Sequence, residues 1–79
     1  MKNEEFFTSD WYLCVFLIAK GYELHYIDRR NRSRCQFVFT DSRNLQAEVE
    51  NFWHNGNIGA QDFVMAVKRA KSLLHSDSF

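Results

Sequence analysis

Hydrophobic residues follow three different patterns along the chain, and each pattern predicts a different element. Residues 11–19 are apolar at every position, which is typical of a helix that is covered on most of its circumference. Residues 22–28 and 34–39 alternate between apolar and polar side chains and predict two strands, joined by a hairpin loop at residues 29–33. Helical spacing returns at residues 42–54 and from about residue 60. The predicted order is therefore α-β-β-α-α.

Capping residues indicate where these helices begin and end. Thr8 is a suitable N-cap for the first helix, and Phe7 and Tyr12 are spaced to form a hydrophobic staple around it. Gly21 supplies the left-handed conformation that commonly follows the end of a helix. Asp41 is expected to cap the second helix.

The apolar positions also predict which face of each later element is buried. The second helix is expected to bury one stripe, made of Leu45, Val49, Phe52 and Trp53. The third helix is expected to bury Phe63, Val67, Ala70 and Leu74. The buried faces of the hairpin are expected to contain Tyr22, Leu24, Tyr26, Cys35, Phe37 and Phe39. Because two strands alone are marginally stable, this hairpin is expected to lie against the helices.

The composition is that of one small, dense domain. A chain of 79 residues has room for a single core, and eight Phe, three Tyr and two Trp are available to fill it. We therefore predict one α+β domain over residues 1–79, ordered over about residues 6–75 and frayed at both ends. Its architecture is expected to be a two-stranded antiparallel hairpin packed on helices.

The cysteines and the apolar run bear on where the protein resides. Two cysteines, Cys14 and Cys35, fall within predicted elements rather than at the spacings of a disulfide framework, which favours reduced thiols in the cytoplasm. The apolar run is shorter than the about 20 residues that a membrane span needs. Acidic residues precede it where a signal peptide would carry basic ones. We expect a cytoplasmic protein that does not enter a membrane.

Residue types that carry chemistry show no catalytic or metal-binding pattern. The cysteines and the three histidines lack the paired spacing of a zinc site. The sequence has no Gly-rich phosphate loop and no serine elbow, and Cys35 with His25 is the one conceivable nucleophilic pair. A fold of this size is also expected to have little room for a cavity of several hundred Å³. We predict no enzymatic activity, no cofactor and no small-molecule substrate.

Four arginines within six residues give the strongest indication of a binding partner. These residues, at the predicted hairpin loop, are Arg29, Arg30, Arg32 and Arg34. Clustered guanidinium groups suit phosphates and carboxylates. Further basic residues extend the candidate site if the fold brings them near: Arg43, Lys68, Arg69 and Lys71.

Three interpretations of the arginine hairpin remain open at this point. The arginines keep an exposed edge soluble, or they bind nucleic acid, or they bind an acidic protein surface. A formal net charge of zero argues against a general nucleic-acid binder, which would usually be basic. The hairpin aromatics are better explained as core than as a base-stacking platform. A surplus ring such as Trp53 or Tyr12 would instead mark a protein-binding patch or a homodimer interface.

Several short motifs resemble an uncharacterised family of small domains found in bacteria, phages and mobile elements. The opening motif is Phe7-Thr8-Ser9-Asp10, followed by Leu13, Phe16-Leu17 and Lys20-Gly21-Tyr22. The later motifs are Phe37-Val38-Phe39, Asn51-Phe52-Trp53 and Phe63-Val64 with Lys71-Ser72-Leu73-Leu74. The resemblance covers about residues 6–75 and implies a shared fold without an assigned activity.

The resemblance and the basic residues together give a functional hypothesis. The resemblance implies a phage or mobile-element setting, in which small proteins often bind host machinery. We therefore expect a non-catalytic accessory protein that engages a macromolecule through the arginine hairpin. The alternatives are a nucleic-acid-binding protein that uses this hairpin and the C-terminal basic helix, and a phage-encoded inhibitor of a host defence or replication protein.

Overall fold

The computed structural model describes residues 4–31 and 33–76. The elements, in chain order, are β1 (Glu5–Thr8), α1 (Trp11–Ala19), β2 (Leu24–Asp28), β3 (Gln36–Thr40), α2 (Arg43–Trp53) and α3 (Ala60–Leu74). The fold is a small single α+β domain, as predicted, but its order begins with a strand. The fraying predicted at the two chain ends falls largely outside the described residues.

The sheet has three strands: the predicted antiparallel hairpin is present as β2 and β3, but the prediction that it forms the whole sheet was wrong. Its order is β1-β3-β2, and both pairings are antiparallel. The unpredicted strand β1 pairs Phe6 with Phe39 and Phe7 with Val38. The pairing continues past the strand, where the Asp41 amide donates to the Glu4 carbonyl at 2.8 Å. A strand of four residues is too short to show a clear alternation of its own, so its pairing with β3 defines it. In the sequence, Phe7 and Thr8 indicated the start of a helix instead.

Strand β2 contains a bulge that changes which of its side chains are buried. The pairing with β3 is irregular between Leu24 and Tyr26, so His25 is an extra residue in the ladder. As a result Leu24 and Ile27 are buried, whereas Tyr26 is half-buried and its hydroxyl donates to Glu5 at 3.2 Å. The predicted burial of Tyr26 with Leu24 on one face was therefore wrong. Strict alternation fails wherever one residue is added to a strand.

Helix α1 is the centre of the molecule, as its uniform apolar sequence predicted. One side of it contributes Leu13, Cys14 and Leu17 to a core cluster with strand residues that include Phe37 and Phe39. Another side packs through Val15 against Ala66 and Ala70 of α3. The edge-on contact between Phe16 and Phe52, with ring centroids 5.4 Å apart, joins α1 to α2. No helix within the described residues is both long and apolar enough to cross a membrane.

The helix starts use caps other than those the sequence suggested. The Asp10 carboxylate accepts from the amides of Tyr12 and Leu13, which makes Asp10 the cap of α1 in place of Thr8. The Ser42 hydroxyl accepts from the Leu45 amide at 3.0 Å and caps α2 in place of Asp41. Each cap lies two residues beyond the end of a strand, Thr8 of β1 for Asp10 and Thr40 of β3 for Ser42. Gly21 has the predicted left-handed conformation, with φ 101°.

The later helices bury narrower faces than predicted. On α2, Leu45 is fully buried, but Trp53 is 61 % exposed. Trp53 is the last residue of the helix, and its position is rotated by about 80° around the helix axis from that of Leu45. On α3 the most buried residues are Ala66 and Ala70, whereas Phe63 is 41 % exposed. Small alanines let α3 approach α1 closely, and the contact face is therefore centred on them rather than on the larger residues.

Candidate interaction surface

Arg29, the first of the hairpin arginines, is occupied within the molecule. Its Nη2 donates to the Leu74 carbonyl at 2.7 Å and lies 3.4 Å from the carbonyls of Leu73 and Ser76. The carbonyls of Leu73 and Leu74 belong to the last turn of α3, and that of Ser76 lies just beyond it. At this end of a helix backbone acceptors lack helical partners and the helix dipole favours a cation. Arg29 therefore joins the hairpin loop to the end of α3.

Two further hairpin arginines also have intramolecular partners. The Arg30 guanidinium contacts both oxygens of Asp28, with Nη2 2.6 Å from Oδ2 and Nε 3.0 Å from Oδ1. These hydrogen bonds hold the pKa of Asp28 at about 2, well below its ordinary value. Nε of Arg34 donates to the Ser9 hydroxyl at 3.0 Å, next to the cap of α1. The remaining hairpin arginine, Arg32, lies outside the described residues.

A small polar pocket remains beside the hairpin loop. Its volume is about 300 Å³, and its lining residues are Asp28, Arg30, Asn31, Arg34 and Gln36. The Arg30 side chain is 90 % exposed, while that of Asp28 is only 10 % exposed. The pocket therefore brings Arg30 and Arg34 together, but one carboxylate already neutralises Arg30.

The basic residues of α3 differ from the hairpin arginines in having no intramolecular partner. Lys68, Arg69 and Lys71, here called the α3 basic face, are exposed in the second half of that helix. Within the described chain, no hydrogen bond or ion pair engages these three side chains. Arg43, at the first position of α2, is likewise exposed and unpaired among residues 4–31 and 33–76. The fold thus separates the predicted basic residues into an occupied group and an available one.

The basic face borders an open groove between α1 and α3. This α1–α3 groove has a volume of about 510 Å³ and is lined by Ile18, Ala19, Asp62, Met65, Ala66, Lys68, Arg69, Ser72 and Leu73. The sequence predicts little room for a substrate cavity of several hundred Å³ in a chain of this size. The groove does not test that prediction, because its volume is open to solvent between two helices.

Several large apolar side chains are exposed. Tyr12 and Trp53 are 68 % and 61 % exposed. The sequence named both as rings that would mark a contact patch if exposed, although it also assigned Trp53 to the buried stripe of the second helix. Sequence reasoning missed Met65, which is 62 % exposed and lines the α1–α3 groove. The signal was present, because residues 63–67 are apolar at five successive positions. An amphipathic helix with such a run must expose part of it.

The thiols and histidines of the described residues differ in their surroundings. Burial raises the pKa of the Cys14 thiol to about 12, so this cysteine is unreactive. His25 Nδ1 lies 3.4 Å from Glu5, while Cys35 packs against the core cluster. Partial desolvation and then the nearby Glu5 carboxylate raise the pKa of Tyr26. No group of three potential metal ligands occurs in the described segments.

Comparison with known proteins places the chain in a family. No curated protein and no solved structure is similar enough to match it. A family described as a domain of unknown function, DUF5659, matches residues 3–76, slightly more than the range of the resemblance found from the motifs. The match spans the three strands and three helices described above. The chain belongs to the DUF5659 family, an uncharacterised family of small domains.

Proposed function

We propose that this protein is a non-catalytic binding domain that engages an acidic surface of another protein through the α3 basic face. The observation that carries the proposal is the absence of any intramolecular partner for Lys68, Arg69 and Lys71 within the described residues. An unpaired surface cation exchanges water contacts for a partner's carboxylate and breaks no contact within its own protein. This difference favours α3 over the hairpin as the binding surface.

The hairpin arginines would have to give up existing contacts in order to bind a partner. Arg30 would leave a carboxylate that it meets through three hydrogen bonds of 2.6 to 3.1 Å. Arg29 would leave the carbonyls at the end of α3, at a cost to that helix. We therefore assign Arg29 to the stability of the fold and give the hairpin a secondary part in binding.

Two features favour a protein partner over nucleic acid. The chain has no net charge, so it lacks the overall positive field that draws proteins to a phosphate backbone. The cations also lie beside exposed apolar residues, because Val64 and Met65 precede Lys68 and Arg69 by four positions each on the same helix. A mixture of apolar groups and cations is typical of a protein interface.

Nucleic acid is the second candidate, and the polar pocket is the observation that favours it. Arg30 and Arg34 line that pocket together and present guanidinium groups at the hairpin loop. Binding of this kind would weaken steeply with salt. A phage or mobile-element setting, with a host defence or replication protein as the partner, is part of the proposal and rests on the motif resemblance.

Carbodiimide crosslinking of the full chain in extracts of its source cell tests the proposal. This reagent joins a lysine amine directly to a carboxylate with which it is in contact, so it reports acidic protein partners and not nucleic acid. We expect mass spectrometry to find Lys68 or Lys71 joined to an Asp or Glu of a partner. Crosslinks confined to Lys20, whose ammonium lies 5.4 Å from the Phe16 ring, would contradict the assignment to the α3 basic face.

Matched variants complete the test with the purified partner. The double variant Lys68→Glu with Arg69→Glu is expected to weaken binding at least tenfold, about 1.4 kcal/mol. Arg30→Gln is expected to change the affinity by less than about twofold, within the range of a peripheral contact. Equal losses in both variants would contradict the assignment to α3. Recovery that disappears after nuclease treatment would favour the nucleic-acid alternative.

A further inference from the structure

We infer that the α1–α3 groove binds an acidic amphipathic helix of the partner protein. This inference rests on the proposed function and specifies it. The basic face explains attraction to an acidic surface, whereas the groove determines the shape and the apolar character of the segment that binds.

The floor of the groove is apolar and is hollow because short side chains form its base. Ala19 of α1 and Ala66 of α3 lie where the two helices approach each other, and larger residues at Ile18, Met65 and Leu73 stand around them. Met65 is 62 % exposed, so a thioether that could pack against an apolar partner is in contact with water instead. Burying these surfaces under a partner's apolar side chains would be favourable.

The charges around the groove select an acidic partner. Lys68 and Arg69 line it and have no partner within the described chain. The one carboxylate in the lining, Asp62, turns back over the start of its own helix, since a β carbon placed on Gly59 would meet its Oδ2 at 2.9 Å. In that position it interacts with the positive end of the α3 dipole. The field along the rest of the groove is therefore positive.

The length and walls of the groove indicate a helix rather than an extended strand. The α3 residues in the lining run from Asp62 to Leu73, which is about 16 Å at 1.5 Å per residue. That length matches three turns of a docked helix, with apolar anchors at spacings of three and four residues. An extended peptide would need free backbone groups to pair with, and the walls are helices whose backbone groups are already paired.

A selection experiment with the full chain tests the inference. The probe is a display library of 16-residue peptides, and the bound sequences are read after selection on the wild-type protein. We expect enriched peptides to carry apolar residues at three- and four-residue spacing with Glu or Asp beside them. Enrichment of basic peptides, of strand-like alternation or of no pattern would overturn the inference.

Groove variants are then compared with a surface control by fluorescence anisotropy of the best peptide. Met65→Glu places a negative charge in the groove, and Ser72→Phe fills it, and each is expected to weaken binding about tenfold or more. Tyr12→Glu is the control, because Tyr12 is a comparably exposed apolar residue outside the groove. It should leave the affinity unchanged. Amide shifts in nitrogen–proton NMR spectra should move along Ile18, Met65 and Leu73 on titration.

The outcomes separate this inference from the proposed function. One outcome is that charge reversal of Lys68 and Arg69 abolishes binding of the crosslinked partner while Met65→Glu and Ser72→Phe leave it intact. That result would support the α3 basic face as the binding surface and contradict the groove inference. If none of these variants matters, both fail. A concentration-dependent dimer in analytical ultracentrifugation that Met65→Glu dissociates would show that a second copy occupies the groove, and would overturn the assignment to another protein.

Discussion

Arg29 offers the most direct test of the division between structural and available basic residues. Replacing it by glutamine removes the charge and shortens the side chain, so the carbonyls of Leu73, Leu74 and Ser76 lose a shared cationic donor. A cation at the C-terminal end of a helix contributes about 0.3–1 kcal/mol when exposed. Because the charge-assisted hydrogen bond of Arg29 is as short as 2.7 Å, we take the upper end of this range. We therefore expect the free energy of unfolding to fall by about 1 kcal/mol.

Such a loss is measurable as a shift in the thermal midpoint. An unfolding entropy of about 2.1 cal/mol/K per residue gives about 0.17 kcal/mol/K for this chain, so 1 kcal/mol lowers Tm by about 6 °C. Circular dichroism would measure this shift. Hydrogen exchange should locate it, because the amides of His75 and Ser76 donate to carbonyls of the last turn of α3 and should lose protection first.

Arg43→Gln is the matched control for this prediction. It makes the same chemical change in an exposed arginine that has no partner among the described residues. Because Arg43 begins α2, where the helix dipole disfavours a cation, its removal should leave Tm unchanged or raise it slightly. An Arg29→Gln variant with the stability and exchange pattern of Arg43→Gln would refute the structural role of Arg29, and would return it to the list of binding residues.

Three further predictions concern the core, a turn and an ion pair. Leu45→Ala should cost about 2–5 kcal/mol in urea unfolding, because Leu45 is the fully buried anchor of α2; a loss below about 1 kcal/mol would contradict that role. Gly21→Ala should cost about 1–2 kcal/mol by the same assay, because φ is 101°, a left-handed conformation that side chains disfavour. Steric contact is not the reason, since a β carbon at this position meets nothing within 4 Å. A neutral result would refute the left-handed turn. The pKa of Asp28 is about 2 in the folded state and near 3.8 ordinarily, so its pairing with Arg30 stabilises the fold above about pH 4 and is lost as the pH falls from 4 to 2. Asp28→Asn should remove that part of the acid dependence of stability, and identical profiles for both proteins between pH 2 and 5 would contradict the pair.

The sequence predicted correctly those elements that the spacing of apolar residues alone can indicate. The run of apolar residues at 11–19, with helix-capping residues on both sides, favoured a covered helix, and α1 is central as expected. Helical spacing likewise located α2 and α3, and the glycine after α1 has the expected conformation. These features depend on interactions between residues a few positions apart, which a sequence states directly.

The candidate site was predictable in its residues but not in their roles. The sequence identified the basic residues, yet it could not indicate that Arg29 reaches carbonyls 44 to 47 positions away. It also offered Lys68, Arg69 and Lys71 only as an extension of the hairpin site, and it could not indicate that Lys68 and Arg69 line a groove that exists only where two helices meet. Whether a cation is free depends on which acceptors the fold brings to it.

Local sequence thus determined the helices, the hairpin and the supply of charged residues. Tertiary structure decided the third strand, the bulge at His25, the alanine-centred packing of α3 and the division of the basic residues. The physical reason is the distance along the sequence between the residues that interact. Turns and helical periodicity arise between near neighbours, whereas strand pairing, helix packing and ion pairing depend on partners that folding brings together from distant parts of the chain.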